Sequence, residues 1–313
     1  MHNFWQGKKI LVTGGAGFLG QCVVKKLLEH GVSKNNIVIP EFPVVDLRNM
    51  EDCKKAVQGI GVVIHLAGVV GGIAFNRDHP GKTFYDNAVM ALNMLEAARL
   101  EGVEKFVGIG SVCAYPKEIP MPFKEKDLWA GYPEETNAPY GLAKKFMLVQ
   151  SQAYLAEYGL QAIHLLLQNL YGPGDNFDPE SSHVIPGLIK KVYDAQKEGK
   201  DYIEAWGTGK PTRQFLYVED AAKAIVAATE TYNKPDPINI GSDLEISVKD
   251  LAELISKTMG FVGEIRWDTS KPDGQPRRFF DVSKAKEEFG FEAKTDFAQG
   301  LEKTIQWYKR NAV

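Results

Sequence analysis

The sequence predicts an α/β fold: a doubly wound parallel sheet carrying a smaller C-terminal α/β lobe. Two observations carry this. Short β-branched runs alternate with longer helical patterns through the first half of the chain, and those runs are continuously apolar, as strands covered by helices on both faces must be. The length adds a third: 313 residues, 44% hydrophobic and 25% charged, suffice for one large domain or two lobes around a cleft.

Taken in order, KKILVTGG reads as a strand and 18–30 as the helix after it; NIVIP precedes a helix near 49–57. VVIHLAG leads to a helix over 84–99, EKFVGIGS to one over 140–158, and LQAIHLLLQ ends the alternation. Near residue 171 the composition shifts to the Pro- and Gly-rich YGPGDNFDPESSHVIP, followed by a helix around 187–197 and WGTGKPTRQFLYVED. A lobe boundary is therefore expected there: residues 1–170, completed by about 214–241, form the first domain, and 171–213 with 242–313 the second lobe. Asp220 reads as the N-cap of an Ala-rich helix, PINIG as a returning strand, and Ser247 with Asp250 as a capping box before LAELISKTMG. No internal repeat is visible.

Lys and Arg total 37 against 40 Asp and Glu, a net charge of −3 with no long run of one sign, so neither nucleic acid nor a membrane surface is an expected partner. The three cysteines, Cys22, Cys53 and Cys113, show no CxxC or Cys/His spacing. No disulfide framework and no metal site are expected, and a reducing, cytoplasmic setting fits. The N-terminal residues lack the apolar core of a signal peptide, so the mature chain is expected to begin at Met1. The uncharged stretch 57–75 is broken by five glycines, Gln58 and His65, and reads as strand plus loop rather than as a membrane span.

The strongest local signal is the run from Gly14 through Gly17, Phe18 and Leu19 to Gly20, set between a strand and a helix. That context aims backbone N–H groups and a helix N-terminus at a pyrophosphate, and makes the first domain Rossmann-type. After the second strand stand Pro40 and Glu41, with no arginine before Arg48. A carboxylate there repels a 2′-phosphate and favours NAD over NADP. Asp46 could accept from an adenine amino group, or be a loop or capping aspartate.

Tyr140 and Lys144 are four residues apart on a predicted helix, which puts a phenol and an ammonium on one face. The cation favours the phenolate, and the pair can exchange a proton with a sugar hydroxyl while hydride moves to or from nicotinamide. Ser111 ends the fourth strand, where open α/β sheets place their sites. Cys113, two residues on, points to the same side as Ser111 if the extended run continues. By residue type alone, Cys113 also fits a small buried apolar residue and His183 a hydrogen-bonded structural histidine. His65 reads as core.

Taken together, GVVGGIAFNRDHP, GSVCAYP, EETNAPYGLAKK, QNLYGPGDNFDPESSHVIP, WGTGKPTRQFLYVED and SKPDGQPRR resemble, over roughly residues 8–310, the extended short-chain dehydrogenase/reductases of the GDP-L-fucose synthase type. The resemblance implies epimerisation of a GDP-4-keto-6-deoxymannose at C3 and C5, then reduction at C4 with NADPH. It implies Cys113 as base and His183 as acid of epimerisation, Tyr140 as proton donor at C4, Lys144 on the nicotinamide ribose and Ser111 on the substrate oxygen. Leu66, Ala67, Gly68, Asn87 and Asn169 fall to the cofactor side, with Tyr140, Lys144 and His183 among the cofactor's neighbours. Asn169 also borders the substrate, and Lys191, Trp206, Arg213 and Arg278 fall to the sugar nucleotide.

This chain departs from the pattern at Val112, where a second serine is usual, at Leu167-Gln168, where Pro-Thr is usual, and at Lys191, where arginine is expected. Two other readings remain at this point: a redox-neutral NAD-dependent epimerase, such as a GDP-mannose 3,5-epimerase, and a non-catalytic dinucleotide sensor. Relatives pair through the two long helices, so a homodimer is the expectation by resemblance.

Overall fold

The protein is described here by a computed structural model covering residues 4–271 and 273–312. Strand β1 (Ile10–Thr13), helix α1 (Phe18–Glu29), β2 (Ile37–Val38), α2 (Met50–Ala56) and β3 (Val62–His65) open the chain, followed by α3 (Ile73–Asp78), α4 (Pro80–Leu100), β4 (Lys105–Ser111), α5 (Ala138–Tyr158) and β5 (Gln161–Leu167). Then come β6 (Asn169–Tyr171), α6 (Val184–Glu198), β7 (Tyr202–Trp206), β8 (Thr212–Tyr217), α7 (Val218–Thr231) and β9 (Ile238–Ile240). The chain ends through β10 (Glu245–Ser247), α8 (Val248–Met259), β11 (Glu264–Asp268), α9 (Ser283–Phe289) and α10 (Phe297–Asn311).

The principal sheet has six strands in the order β2-β1-β3-β4-β5-β9, and every pairing in it is parallel. Its continuous apolar runs have a direct cause. Ile10, Val12, Val62, Ile64 and Val107 face one core with Val23 and Leu27 of α1 and the alanines of α7. The alternate positions Leu11, Val63 and Phe106 face a second core with Met94 and Leu95 of α4 and Met147 of α5. Because the strand order switches from one side to the other between β1 and β3, the C-terminal ends of β1, β3 and β4 border a crevice, the place where such sheets bind ligands. At its floor His65 is buried and shares a 2.9 Å hydrogen bond with Thr13 Oγ1.

The remaining strands form two small sheets, β10-β8-β6 and β11-β7, packed with α6, α8 and α10 around a separate core that includes Ile189, Val192, Phe215, Leu251 and Leu301. Segment 212–217 belongs to this smaller assembly; the chain rejoins the six-stranded sheet through α7 and β9. Among the described residues, no helix is long and apolar enough to cross a membrane.

Three local expectations change. Helix α4 begins at Pro80 rather than near 84, since proline is well tolerated in a first turn, and the glycine-rich loop before it contains α3. Asp220 is not an N-cap: Tyr217 holds that position, and Asp220 lies buried in the first turn of α7. Its carboxylate accepts from the backbone N–H groups of Lys294 (3.1 Å) and Thr295 (2.8 Å) and pairs with Lys223 at 2.8 Å, tying α7 to the chain entering α10. Ser247 does cap α8, its Oγ accepting from Asp250 N at 3.0 Å.

Gln168, where the family pattern has a smaller residue, joins the two halves. Its Nε2 donates to Gln214 Oε1 (2.6 Å) and Ser242 O (3.2 Å), and its Oε1 accepts from Ser242 N (2.9 Å). Both glutamines are buried, so no water replaces a lost partner without a cavity. Gln168→Ala should therefore lower unfolding free energy by about 3 kcal/mol in urea titration; a loss under about 1 kcal/mol would show the network to be dispensable.

Candidate active site

The first part of the site is a cradle at the end of β1. Gly14 takes a left-handed backbone (φ 68°), and Gly17 stands at the N-cap of α1 without a side-chain cap. The first-turn N–H groups of α1 are therefore free for an anion. A Cβ on Gly20 would lie 2.0 Å from Gly14 O, so only glycine lets the helix sit this close to the turn. Phe18 and Leu19 are the first two residues of α1. These features fit the pyrophosphate of a dinucleotide.

Leu66, Ala67 and Gly68 follow β3 across from the glycines, where Ala67 N donates to Thr13 Oγ1 at 3.1 Å. Asn87 is buried beneath them: its Nδ2 donates to Val69 O (2.9 Å) and Thr83 O (2.7 Å), and its Oδ1 accepts from Val69 N (3.1 Å). Its side chain fixes the loop that borders the cradle. Beyond β2, Glu41 is exposed, and both carboxylate oxygens of Asp46 are taken by Arg48, at 2.9 Å from Nε and 2.7 Å from Nη2. Arg48 also reaches Asp86 at 3.4 Å, so its charge is spent on two carboxylates.

The second part lies where β4 ends. The extended run does not continue to Cys113: it stops at Ser111, and 112–114 form a 3₁₀ turn. Cys113 nevertheless stays beside Ser111, because its backbone N–H donates to Ser111 Oγ at 3.2 Å. Helix α5 presses on this turn, for a Cβ on Gly141 would fall 2.2 Å from Cys113 O. Tyr140, next to Gly141, is thereby brought close enough to Cys113 to feel its charge, and Lys144 follows one turn on along the same helix.

The expected effect of Lys144 on Tyr140 is not what dominates. Burial, then the neighbouring Cys113, push the phenol well above its usual range, while the ammonium lies 5.7 Å from the ring centroid. The phenol is thus kept protonated. Burial also pushes Lys144 down to about 8. Its Nζ lies 3.6 Å from where a Cβ on Gly68 would be, which links the helix to the cradle.

His183 occupies the N-cap position of α6 and is solvent-accessible, with desolvation by surrounding protein lowering its pKa. Its loop is joined to the one after β3 by Gly72 N donating to Ser181 O at 3.0 Å. Asn169, on β6, donates from Nδ2 to Gln214 O at 3.2 Å. On the second lobe, Lys191 Nζ donates to Glu204 O (2.8 Å) and lies 5.5 Å from the ring centre of Trp206, an exposed residue. Arg213 Nη1 donates to Thr212 O at 2.7 Å, and among the described residues this guanidinium has no carboxylate within salt-bridge distance. Burial, with Arg278 as the second cause, pushes Arg213 down to about 10, still cationic at neutral pH.

Four further neighbours carry no signal in the sequence: Asn76, Glu134, Asn137 and Gln275. Asn137 Oδ1 lies 3.8 Å from Cys113 Sγ and accepts from Asn76 Nδ2 at 3.2 Å. Arg278 Nε donates to Gln275 Oε1 (2.8 Å), while its Nη1 lies 3.6 Å from Cys113 Sγ and its Nη2 3.8 Å from Glu134. Together with Cys113 and Arg278 these residues come from four separate segments, so no spacing rule collects them.

The pattern of the NAD dependent epimerase/dehydratase family matches residues 10–241. GDP-L-fucose synthase 1 of Arabidopsis thaliana is 38% identical over 305 residues, covering 97% of this chain and 94% of that protein. A GDP-L-fucose synthetase from Naegleria fowleri bound to NADP superposes with a TM-score of 0.88 at 32% identity, covering 98% of this chain and 94% of that one. A GDP-6-OMe-4-keto-L-xylo-heptose reductase from C. jejuni gives 0.90 at 27% identity, covering 99% of both chains. The chain thus belongs to the NAD dependent epimerase/dehydratase family, on the branch of GDP-L-fucose synthase relatives.

Proposed function

We propose that this protein is a nicotinamide-dependent epimerase/reductase of a GDP-linked 4-keto-6-deoxyhexose, acting as the relatives named GDP-L-fucose synthase do by name. The observation that supports the reading is a thiol, Cys113, bonded through its backbone N–H to Ser111 and packed against the first turn of the helix that carries Tyr140 and Lys144. A reductase of the ketone alone needs no thiol there, and a sensor needs none of the four.

A C4 ketone acidifies the C–H bonds at C3 and C5. Cys113 as thiolate takes such a proton, and His183 returns one to the opposite face, inverting the carbon. Ser111 Oγ accepts from Cys113 N, which leaves its own hydrogen free for the C4 oxygen. Tyr140, held protonated by burial, donates to that oxygen as the ketone becomes an alcohol. The bound dinucleotide supplies the hydride that C4 gains. Gly14, Gly17 and Gly20 would receive its pyrophosphate and Lys144 its ribose. Arg213, cationic and without a carboxylate partner, suits the substrate diphosphate, with Lys191 and Trp206 bordering the nucleotide on the second lobe.

Relatives have been solved with NADP, but here we propose NADH as the better coenzyme. Glu41 follows β2 unpaired in charge by any residue of its loop, and the nearest arginine, Arg48, is committed to Asp46 and Asp86.

Purified protein with GDP-4-keto-6-deoxymannose should oxidise one reduced nicotinamide per sugar, followed at 340 nm, with kcat/KM at least about tenfold higher for NADH than NADPH, given the carboxylate after strand two. Absence of oxidation with either coenzyme would sink the reductase reading, and a preference for NADPH would sink the role of Glu41. Tyr140→Phe should cut the C4 reduction about a thousandfold while dinucleotide affinity changes less than about threefold; retained turnover would exclude Tyr140 as the proton donor.

A further inference from the structure

We propose that Arg278 is a positioning residue for the Cys113 sulfur, donating to it as a thiolate, rather than a ligand of the substrate diphosphate. The proposal rests on the reading of Cys113 as the base of epimerisation. Its geometric ground is that the guanidinium is already held on three sides. Nε donates to Gln275 Oε1 at 2.8 Å, Nη1 lies 3.6 Å from Cys113 Sγ, and Nη2 lies 3.8 Å from Glu134 Oε2. The side chains of Arg278 and Glu134 are only 10% and 13% exposed. Gln275 is itself buried and anchored through Nε2 to Lys117 O at 2.9 Å, so the arginine cannot swing toward a ligand without leaving buried partners unpaired.

The other side of the sulfur is equally specified. Asn137 Nδ2 donates to the Glu134 carboxylate, which can only accept, and this fixes the amide so that Oδ1 faces Asn76 Nδ2 and Cys113. Glu134 stays ionised: despite burial, hydrogen bonds from Thr136 and Asn137 keep its carboxyl below the ordinary carboxylate range. A thiol can therefore donate to Asn137 Oδ1, and a thiolate can accept from Arg278 Nη1. A base that must be charged before it takes a proton, and neutral after, has a partner for each state. Tyr140 from α5 and Arg213 from β8 are the other ionisable groups that feel this sulfur. Arg213, lacking a carboxylate partner, is left for the diphosphate, so the two guanidiniums divide the work.

Alkylation by iodoacetamide, resolved by peptide mass spectrometry, reads the sulfur without any sugar. Its failure is therefore distinct from a failure of the functional reading. Arg278→Gln should slow alkylation of Cys113 at neutral pH by about tenfold, Arg278→Lys should recover most of the rate, and GDP affinity should change by less than about threefold. An unchanged alkylation rate, or a drop in GDP affinity of about tenfold, would overturn the proposal and return Arg278 to the diphosphate. Should Arg278→Gln fail to fold by circular dichroism, Glu134→Gln serves instead. With a carboxylate removed from beside the arginine, alkylation of Cys113 should quicken; an unchanged or slower rate would overturn the proposal.

Discussion

The cleft depends on how closely the first turn of α5 meets the end of β4. Gly141 has no room for a side chain, since a Cβ would fall 2.2 Å from Cys113 O. That contact brings two separately encoded parts together: the Ser111 and Cys113 turn from the sheet, and the Tyr140 and Lys144 face from the helix. The first-turn hydrogen bond from Gly141 N to Asn137 O, 2.9 Å, also places Asn137 against the thiol. Backbone proximity thus determines which side chains can share one substrate.

Electrostatics follow from the same burial. Tyr140 is pushed up and Lys144 down by removal from water, the direction each neutral form favours. A protonated phenol is the form that can donate to an oxygen becoming an alcohol. In the second lobe Arg213 keeps its charge with no carboxylate partner among the described residues, whereas Arg48 and Arg278 have theirs. A bound diphosphate would supply what Arg213 lacks.

Much of the principal sheet was legible because its strands are buried on both faces and therefore read as unbroken apolar runs, bounded by helices of regular period. The second lobe was harder: β6 and β10 are three residues each, too short to show a period. Within the site, Tyr140 and Lys144 were legible because i, i+4 spacing on a helix puts two groups together. The resemblance of SHVIP and KPDGQPRR brought in His183 and Arg278, but not where Arg278 points. Glu134, Asn137, Asn76 and Gln275 could not be read, since tertiary packing alone collects them around one sulfur. Asp220 reads as a cap because a buried acid in a first turn, bonded to a distant backbone, has the same local sequence as one.

In the proposed function one cleft performs two separable chemistries, proton transfer at carbon through Cys113 and reduction at C4 through Tyr140. The most direct test is to run Cys113→Ala protein in deuterated water with GDP-4-keto-6-deoxymannose and reduced nicotinamide, and to examine the sugar by NMR. Deuterium should no longer enter C3 or C5 while the nicotinamide is still oxidised, giving a reduced sugar without inversion. Deuterium entering either carbon at the wild-type rate would exclude Cys113 as the base.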